Sequence, residues 1–166
     1  MTEVPAIEAG IDPALWTPVE VRVCYGEVDR MGFAYYGNYL RWFEMGRGQY
    51  LRVRGRPYRE IEEQGLAMPV IEACVRYRRP ARYDDLIEVR TAFCARSGGA
   101  SLESGAARAT RDRVRVRFEY QVLRAEDGER LAEGHTIHAC TGKSGRPRRF
   151  PDDLLQLLGQ PPLSAA

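Results

Sequence analysis

The chain has 166 residues, 44% of them hydrophobic, and a formal net charge of +2 at pH 7. That length suits one domain with a single core, and the near-neutral balance gives no global signal for nucleic acid. Cys24, Cys74, Cys94 and Cys140 lie far apart with no C-x-x-C spacing, the pattern of reduced thiols in a cytoplasmic protein rather than of a disulfide framework. No apolar run is long enough to span a bilayer and the acidic start MTEVPAIEAGIDP does not read as a signal peptide, so no membrane insertion is expected.

Residues 1–16 read as an irregular N-terminal arm. Val19, Val21 and Val23 then alternate with Glu20, Arg22 and Cys24, which predicts a half-buried strand. From Asn38 the period changes. Tyr39, Trp42, Phe43, Gly46, Tyr50 and Val53 recur at three- and four-residue spacing, one face of a helix. Leu40 and Leu51 widen that stripe, so the helix is expected to be enclosed on more than one side. Asn38 suits its N-cap. Gly46 costs about 1 kcal/mol of helix propensity, which close approach of another element would explain. IEEQGLAMP reads as a short helical turn or loop. Strands follow at Ile71–Arg78, Ile87–Phe93, Val114–Val122 and LAEGHTIHACT, with Asp127-Gly128 as a hairpin turn. Between the third and fourth strands, residues 96–112 (RSGGASLESGAARATRD) read as a flexible loop or a lid. PDDLLQLLGQPP predicts a short helix.

The expected organisation is a main domain over 17–151 with a short helix and tail over 152–166. The four later strands read as antiparallel neighbours. The class is α+β: a five-stranded antiparallel sheet wrapped around one long central helix. One sheet on one helix leaves a strand edge and a helix face uncovered, which predicts a homodimer or homotetramer.

Candidate chemistry is sparse. His135 and His138 are the only histidines, and on a strand they point to opposite faces, so HTIH is not expected to hold a metal. His138 and Cys140 share a face but sit roughly 7 Å apart along the strand, too far for a direct nucleophile–base pair. There is no G-x-S-x-G, P-loop or G-x-G-x-x-G. Asp29 remains. It is either a turn aspartate bound to its own backbone or a carboxylate beside the unpaired N–H donors of a helix start. In the second case the donors would hold the carbonyl oxygen of an acyl group while the carboxylate attacks or activates water.

The stretch YGEVDRMGFAYYGNYLRWFEMGR, from Tyr25 to Arg47, resembles the hotdog-fold acyl-CoA thioesterases of the 4-hydroxybenzoyl-CoA thioesterase-like group. RPARYDDLIEVRT and the last hairpin and tail, RFEYQV to RRFP, are similar to the same family, so the resemblance covers about residues 19–151. It implies a hotdog fold and hydrolysis of an acyl-CoA, or of an acyl group on a carrier protein's pantetheine arm. Asp29 matches the family's catalytic aspartate. Tyr36 matches the residue whose backbone N–H holds the thioester carbonyl. Gly32, Phe33, Tyr35 and Asn38 fall along the substrate groove, which the family completes across a dimer interface. Arg113, Lys143, Arg146, Arg148 and Arg149 are the nearest matches to the basic residues that bind the CoA nucleotide. No metal and no cofactor are implied, coenzyme A being part of the substrate. Glu27 and Val28 stand where relatives often have Asp-Thr, and Tyr36 stands where the aliphatic-chain branch often has His. Two rival readings are a noncatalytic acyl-thioester-binding hotdog domain and a hotdog hydratase. The hydratase needs a histidine near the helix start, and residues 25–47 contain none.

Overall fold

The computed structural model describes residues 11–94 and 114–163. After a 3-10 turn at Pro13–Leu15 come β1 (Thr17–Arg22), α1 (Asn38–Arg52), α2 (Tyr58–Glu63) and β2 (Leu66–Ala67). Then follow β3 (Val70–Tyr77), β4 (Leu86–Cys94), β5 (Arg115–Arg124), β6 (Arg130–Ala139), β7 (Thr141–Gly142) and α3 (Asp152–Leu158). Strands β1, β4, β5, β6 and β3, in that order, form one five-stranded antiparallel sheet, and β2 pairs with β7.

The order corrects one expectation. Strands β3 and β4 are consecutive in sequence but lie at different places in the sheet, β3 beside β6 and β4 between β1 and β5. Alternation shows that a segment is a strand but carries nothing about its neighbour. The β5–β6 turn is also wider than a two-residue turn. Arg124 N–H bonds Glu129 O at 2.9 Å and Gly128 N–H bonds Arg124 O at 2.8 Å, so the loop spans residues 125–128.

Helix α1 packs on β1, β3, β4 and β5 and buries Tyr39, Trp42, Phe43, Gly46, Tyr50 and Leu51, nearly the face its spacing predicts. Leu51 is buried while Leu40 and Met45 stay exposed, so within one chain the helix keeps an open side. Its N-cap is Gly37, not Asn38. The Asn38 side chain turns back instead and donates to Glu27 O at 2.8 Å.

Gly46 is required by side-chain crowding. A Cβ there would stand 2.3 Å from Thr91 Oγ1 and 3.2 Å from Val89 Cγ1. The Thr91 hydroxyl is itself buried without a hydrogen-bond partner among the described residues. Gly46→Ala alone is therefore expected to lose about 2 kcal/mol, overpacking outweighing the gain of about 1 kcal/mol in helix propensity. Adding Thr91→Ala removes both the clash and the orphan hydroxyl. Urea melts should return the double variant to parental stability or above; a double variant no better than Gly46→Ala would refute this account.

Segments before β1 and around the end of α3 are fastened to Tyr50 on α1 and to Arg54 just past its C-cap. Tyr50 O–H donates to Leu158 O at 2.7 Å. The buried Arg54 donates to Gln160 O at 2.7 Å, Thr17 Oγ1 at 2.9 Å and Leu15 O at 3.2 Å, with its guanidinium 3.4 Å from the Tyr50 ring centroid.

A buried polar chain also runs through the core. Arg47 Nη1 donates to Tyr120 Oη (3.4 Å), Tyr120 bonds Thr136 Oγ1 (2.8 Å), Thr136 bonds His138 Nε2 (2.8 Å), and His138 Nδ1 reaches Met68 O (2.9 Å). A carbonyl only accepts, so Nδ1 carries the proton and a neutral imidazole satisfies every member. Burial, reinforced by the Arg47 charge, lowers the His138 pKa from 6.5 to about 4. Above pH 6.5 the imidazole is neutral in folded and unfolded chains alike. Between 6.5 and 4 only the unfolded chain gains the proton, so stability falls as pH falls, by about 3 kcal/mol in total. Denaturation from pH 7 to 4 should show this slope in the parent and lose it in His138→Gln. Equal slopes in the two proteins would contradict it.

Candidate active site

The segment between β1 and α1 folds as a small hairpin on a 3-10 turn at Tyr25–Glu27. Val28 and Ala34 form an antiparallel bridge, Asp29 N–H bonds Phe33 O at 2.8 Å, and Gly32 N–H bonds Asp29 O at 2.9 Å. The tip, residues 29–33, turns through Gly32 at φ +75°, a conformation L side chains rarely adopt. A Cβ on Gly32 would meet nothing within 4 Å, so the backbone, not crowding, calls for glycine. Ala34 N–H bonds Ala81 O at 2.8 Å, tying the hairpin to the loop before β4.

Glu27 holds this hairpin to the helix. The residue is only 8% exposed; its Oε2 accepts from Cys24 N–H at 2.7 Å, and Oε1 accepts from Arg41 Nη1 at 2.8 Å and Trp42 Nε1 at 3.3 Å. The Glu27 carbonyl accepts from Tyr35 N–H and Asn38 Nδ2, each at 2.8 Å. The glutamate spans from the 3-10 turn to the second turn of α1.

Asp29 is half-buried. Its Oδ1 accepts from Met31 N–H at 2.8 Å and, weakly, from Phe33 N–H at 3.5 Å, while Oδ2 has no hydrogen-bond partner among the described residues. One oxygen fixes the carboxylate and leaves the other available, so the turn role and the catalytic role are compatible.

Tyr36 stands at the open end of the hairpin, before α1. Tyr35 N–H and Asn38 N–H are engaged, the latter on Tyr35 O at 2.9 Å. Between them, the N–H groups of Tyr36 and Gly37 have no hydrogen-bond partner among the described residues. The Tyr36 carbonyl accepts from Tyr77 O–H at 3.0 Å. The exposed rings of Tyr35 and Tyr36 lie 4.3 Å apart, and Tyr77 meets Tyr39 edge-on at 5.0 Å. The Tyr35 hydroxyl pKa is raised, chiefly by a hydrogen bond with that of Tyr36. Half-buried Phe33 lies under Arg82, whose Cζ is 4.8 Å from the ring centroid. By contrast Trp42, Phe43 and Met68 are buried in the core. The Asn38 side chain is part of the scaffold here, engaged by its bond to the Glu27 carbonyl.

The other candidates stand apart. Lys143, Arg146, Arg148 and Arg149 are exposed on the turn around β7, just past the end of β6 that pairs with Val70. The Asp29 hairpin lies at the Tyr77 end of β3. Seven residues of strand, roughly 23 Å, separate the two ends, so one chain does not bring the cluster to its own Asp29. Arg113 and the 96–112 segment lie outside the described residues.

The histidines do not converge. His135 Nε2 pairs with Glu72 Oε1 at 2.9 Å, while both His138 nitrogens are engaged in the core. Burial pushes the Cys140 thiol pKa up, so no Cys–His nucleophile is assembled. Sequence reasoning passed over Tyr77 and Arg82 as site neighbours. Their only signal is strand or loop position, because their contacts on the hairpin are long-range in sequence.

A family model described as the thioesterase-like superfamily matches residues 23–158. The acyl-CoA thioester hydrolase YbgC of Escherichia coli is 31% identical over 78 residues, a stretch covering 47% of this chain and 58% of that protein. Among solved structures, a hypothetical protein of Thermus thermophilus is 32% identical with a TM-score of 0.70, over 85% of this chain and 95% of the other. The DHNA-CoA thioesterase of Staphylococcus aureus is 27% identical with a TM-score of 0.69, over 86% and 87% of the two chains.

Proposed function

The chain belongs to the thioesterase-like superfamily, and from that premise we propose that it hydrolyses acyl-CoA thioesters with Asp29 as the catalytic carboxylate. The observation that carries this reading is the hairpin itself, which bears an anchored carboxylate with one oxygen unengaged and, on its return arm, two N–H groups without a described partner. Asp29 either attacks the thioester carbon or takes a proton from the water that does. The carbonyl oxygen becomes negative and is held by Tyr36 N–H at the start of α1. Collapse breaks the C–S bond. In the general-base route the proton taken by Asp29 passes to the departing CoA thiolate and the acid is released directly. In the nucleophilic route an Asp29–acyl anhydride remains until a water hydrolyses it to the free acid, restoring the carboxylate and supplying the proton of the thiol. No cofactor enters this scheme.

The reading includes a homodimer. Strand β3 is a sheet edge with Val70, Ile71 and Tyr77 exposed. Pairing two β3 edges antiparallel about a two-fold near Cys74 extends the sheet and sets the partner's Val70 end beside this chain's Tyr77. The basic turn of one chain then faces the Asp29 hairpin of the other, positioned for the CoA phosphates. In that assembly α1 is the central helix around which the sheet wraps. A cytoplasmic location belongs to the same reading, supported by four free thiols.

Thiol release from a panel of acyl-CoAs and acyl-carrier proteins tests the activity and identifies the thiol. Mixing tests the shared site. Asp29→Asn and Arg146→Glu/Arg148→Glu/Arg149→Glu proteins, each impaired alone, are expected to recover about a quarter of parental activity after unfolding and refolding together. Half the dimers are then mixed and each has one intact site. No recovery would place both groups in one chain's site.

A further inference from the structure

Resting on the thioesterase reading, we propose that Tyr77 is a positioning residue of the oxyanion site, and that through it Gly37 N–H becomes a second donor beside Tyr36 N–H. Tyr77 ends the edge strand β3, 41 residues from the carbonyl its hydroxyl meets at 3.0 Å. That carbonyl belongs to the Tyr36–Gly37 peptide. In a trans peptide the C=O and N–H point to opposite sides of one rigid plane. A hydroxyl holding the Tyr36 oxygen therefore fixes the direction of the Gly37 N–H. It also draws electron density toward the oxygen, which makes that N–H a stronger donor.

The preceding peptide is arranged in the same way. Its carbonyl, Tyr35 O, accepts from Asn38 N–H at 2.9 Å, leaving Tyr36 N–H directed away from the helix. Two consecutive peptides at the start of α1 thus have their oxygens tied and their N–H groups without a described partner. Two adjacent donors left available in this way suit one developing negative charge. The first tie is local to the helix, whereas the second comes from the sheet.

Tyr77 is itself held for this task. Its ring packs edge-on against buried Tyr39 at 5.0 Å, 82° between planes, and Tyr39 Oη accepts from Ala81 N–H at 3.2 Å. Burial, with Tyr36 nearby, raises the Tyr77 pKa above its ordinary 10.0, so the hydroxyl remains a donor at every pH at which the enzyme would work.

Tyr77→Phe isolates the hydroxyl, because the ring contact with Tyr39 is kept. The expected result is a kcat about tenfold lower with KM changed less than about twofold, short of the 10²–10³ lost when an oxyanion donor is removed outright. Melting temperature and dimer sedimentation should stay at parental values. The ¹⁵N resonance of Gly37 should move upfield in the variant while that of Gly134, on β6, stays in place. Parental kcat in an active, folded variant, or an unmoved Gly37 resonance, overturns the proposal and leaves the thioesterase reading standing. A rise in KM with unchanged kcat also overturns it. A parent protein that releases no thiol from any acyl-CoA or acyl-carrier protein overturns the thioesterase reading, and the positioning role of Tyr77 with it.

Discussion

Asp29→Asn is expected to lower thioester hydrolysis by about 10³-fold, equivalent to roughly 4 kcal/mol of transition-state stabilisation, while melting within about 2 °C of the parent. The two effects separate because the side chain has two jobs. Oδ1 accepts from the Met31 and Phe33 N–H groups and shapes the hairpin tip. An asparagine carbonyl oxygen accepts the same bonds at nearly the same size, so the turn persists. What is lost is the negative charge and the basicity of the second oxygen. An amide neither attacks a thioester carbon nor takes a proton from water near neutral pH. Asp29→Ala should differ in a diagnostic way, losing the turn bonds too and about 1 kcal/mol of stability. Thiol release and thermal melts on both variants check this. Parental activity in Asp29→Asn would remove the carboxylate from the chemistry and restrict it to the turn.

Gly134→Ala is expected to cost about 3 kcal/mol, a fall of roughly 10 °C in melting temperature. A Cβ at this β6 position would lie 2.2 Å from Cys74 O and 2.8 Å from Phe43 Cε2. The first neighbour is the backbone of β3 and has no rotamer by which to retreat. The second is the ring that anchors α1, stacked on Tyr120 at 4.1 Å with 5° between planes. Tyr120 is the cross-strand partner of Gly134, so the ring lies over the space the glycine leaves. Phe43→Leu in the same chain relieves the ring contact only, and recovery should be partial at best. Full recovery would show that the β3 backbone was not the obstacle. Because β3 carries Tyr77 at its far end, the variant is also expected to lose activity at temperatures where it remains folded.

Each element that depends on local periodicity was legible before the structure. Alternation in Val19–Val23 and Ile87–Phe93, and the three-and-four spacing from Tyr39 to Tyr50, report which side of the backbone is buried, and burial is what selects strand or helix there. The turn role open to Asp29 was legible for a related reason, since its bonds run to Met31 and Phe33 within the same hairpin; Gly32 and Tyr36 were singled out by the family resemblance instead. Asn38 misled because its side chain has two local options, capping its own helix or reaching back across the hairpin, and the carbonyl of Glu27 decides between them.

What tertiary structure alone decided is a matter of long-range contact. The placing of β3 beside β6, the buried Arg47–Tyr120–Thr136–His138 chain and the reach of Tyr77 to Tyr36 join residues far apart in sequence. No periodicity encodes such partners; they follow from how the strands are ordered across the sheet. The separation of the basic turn from Asp29 is of the same kind. Both patches are plain in the sequence, but only the antiparallel pairing of β3 with β6 sets them at opposite ends of the edge strand, because adjacent strands must run alongside each other to satisfy their backbone hydrogen bonds.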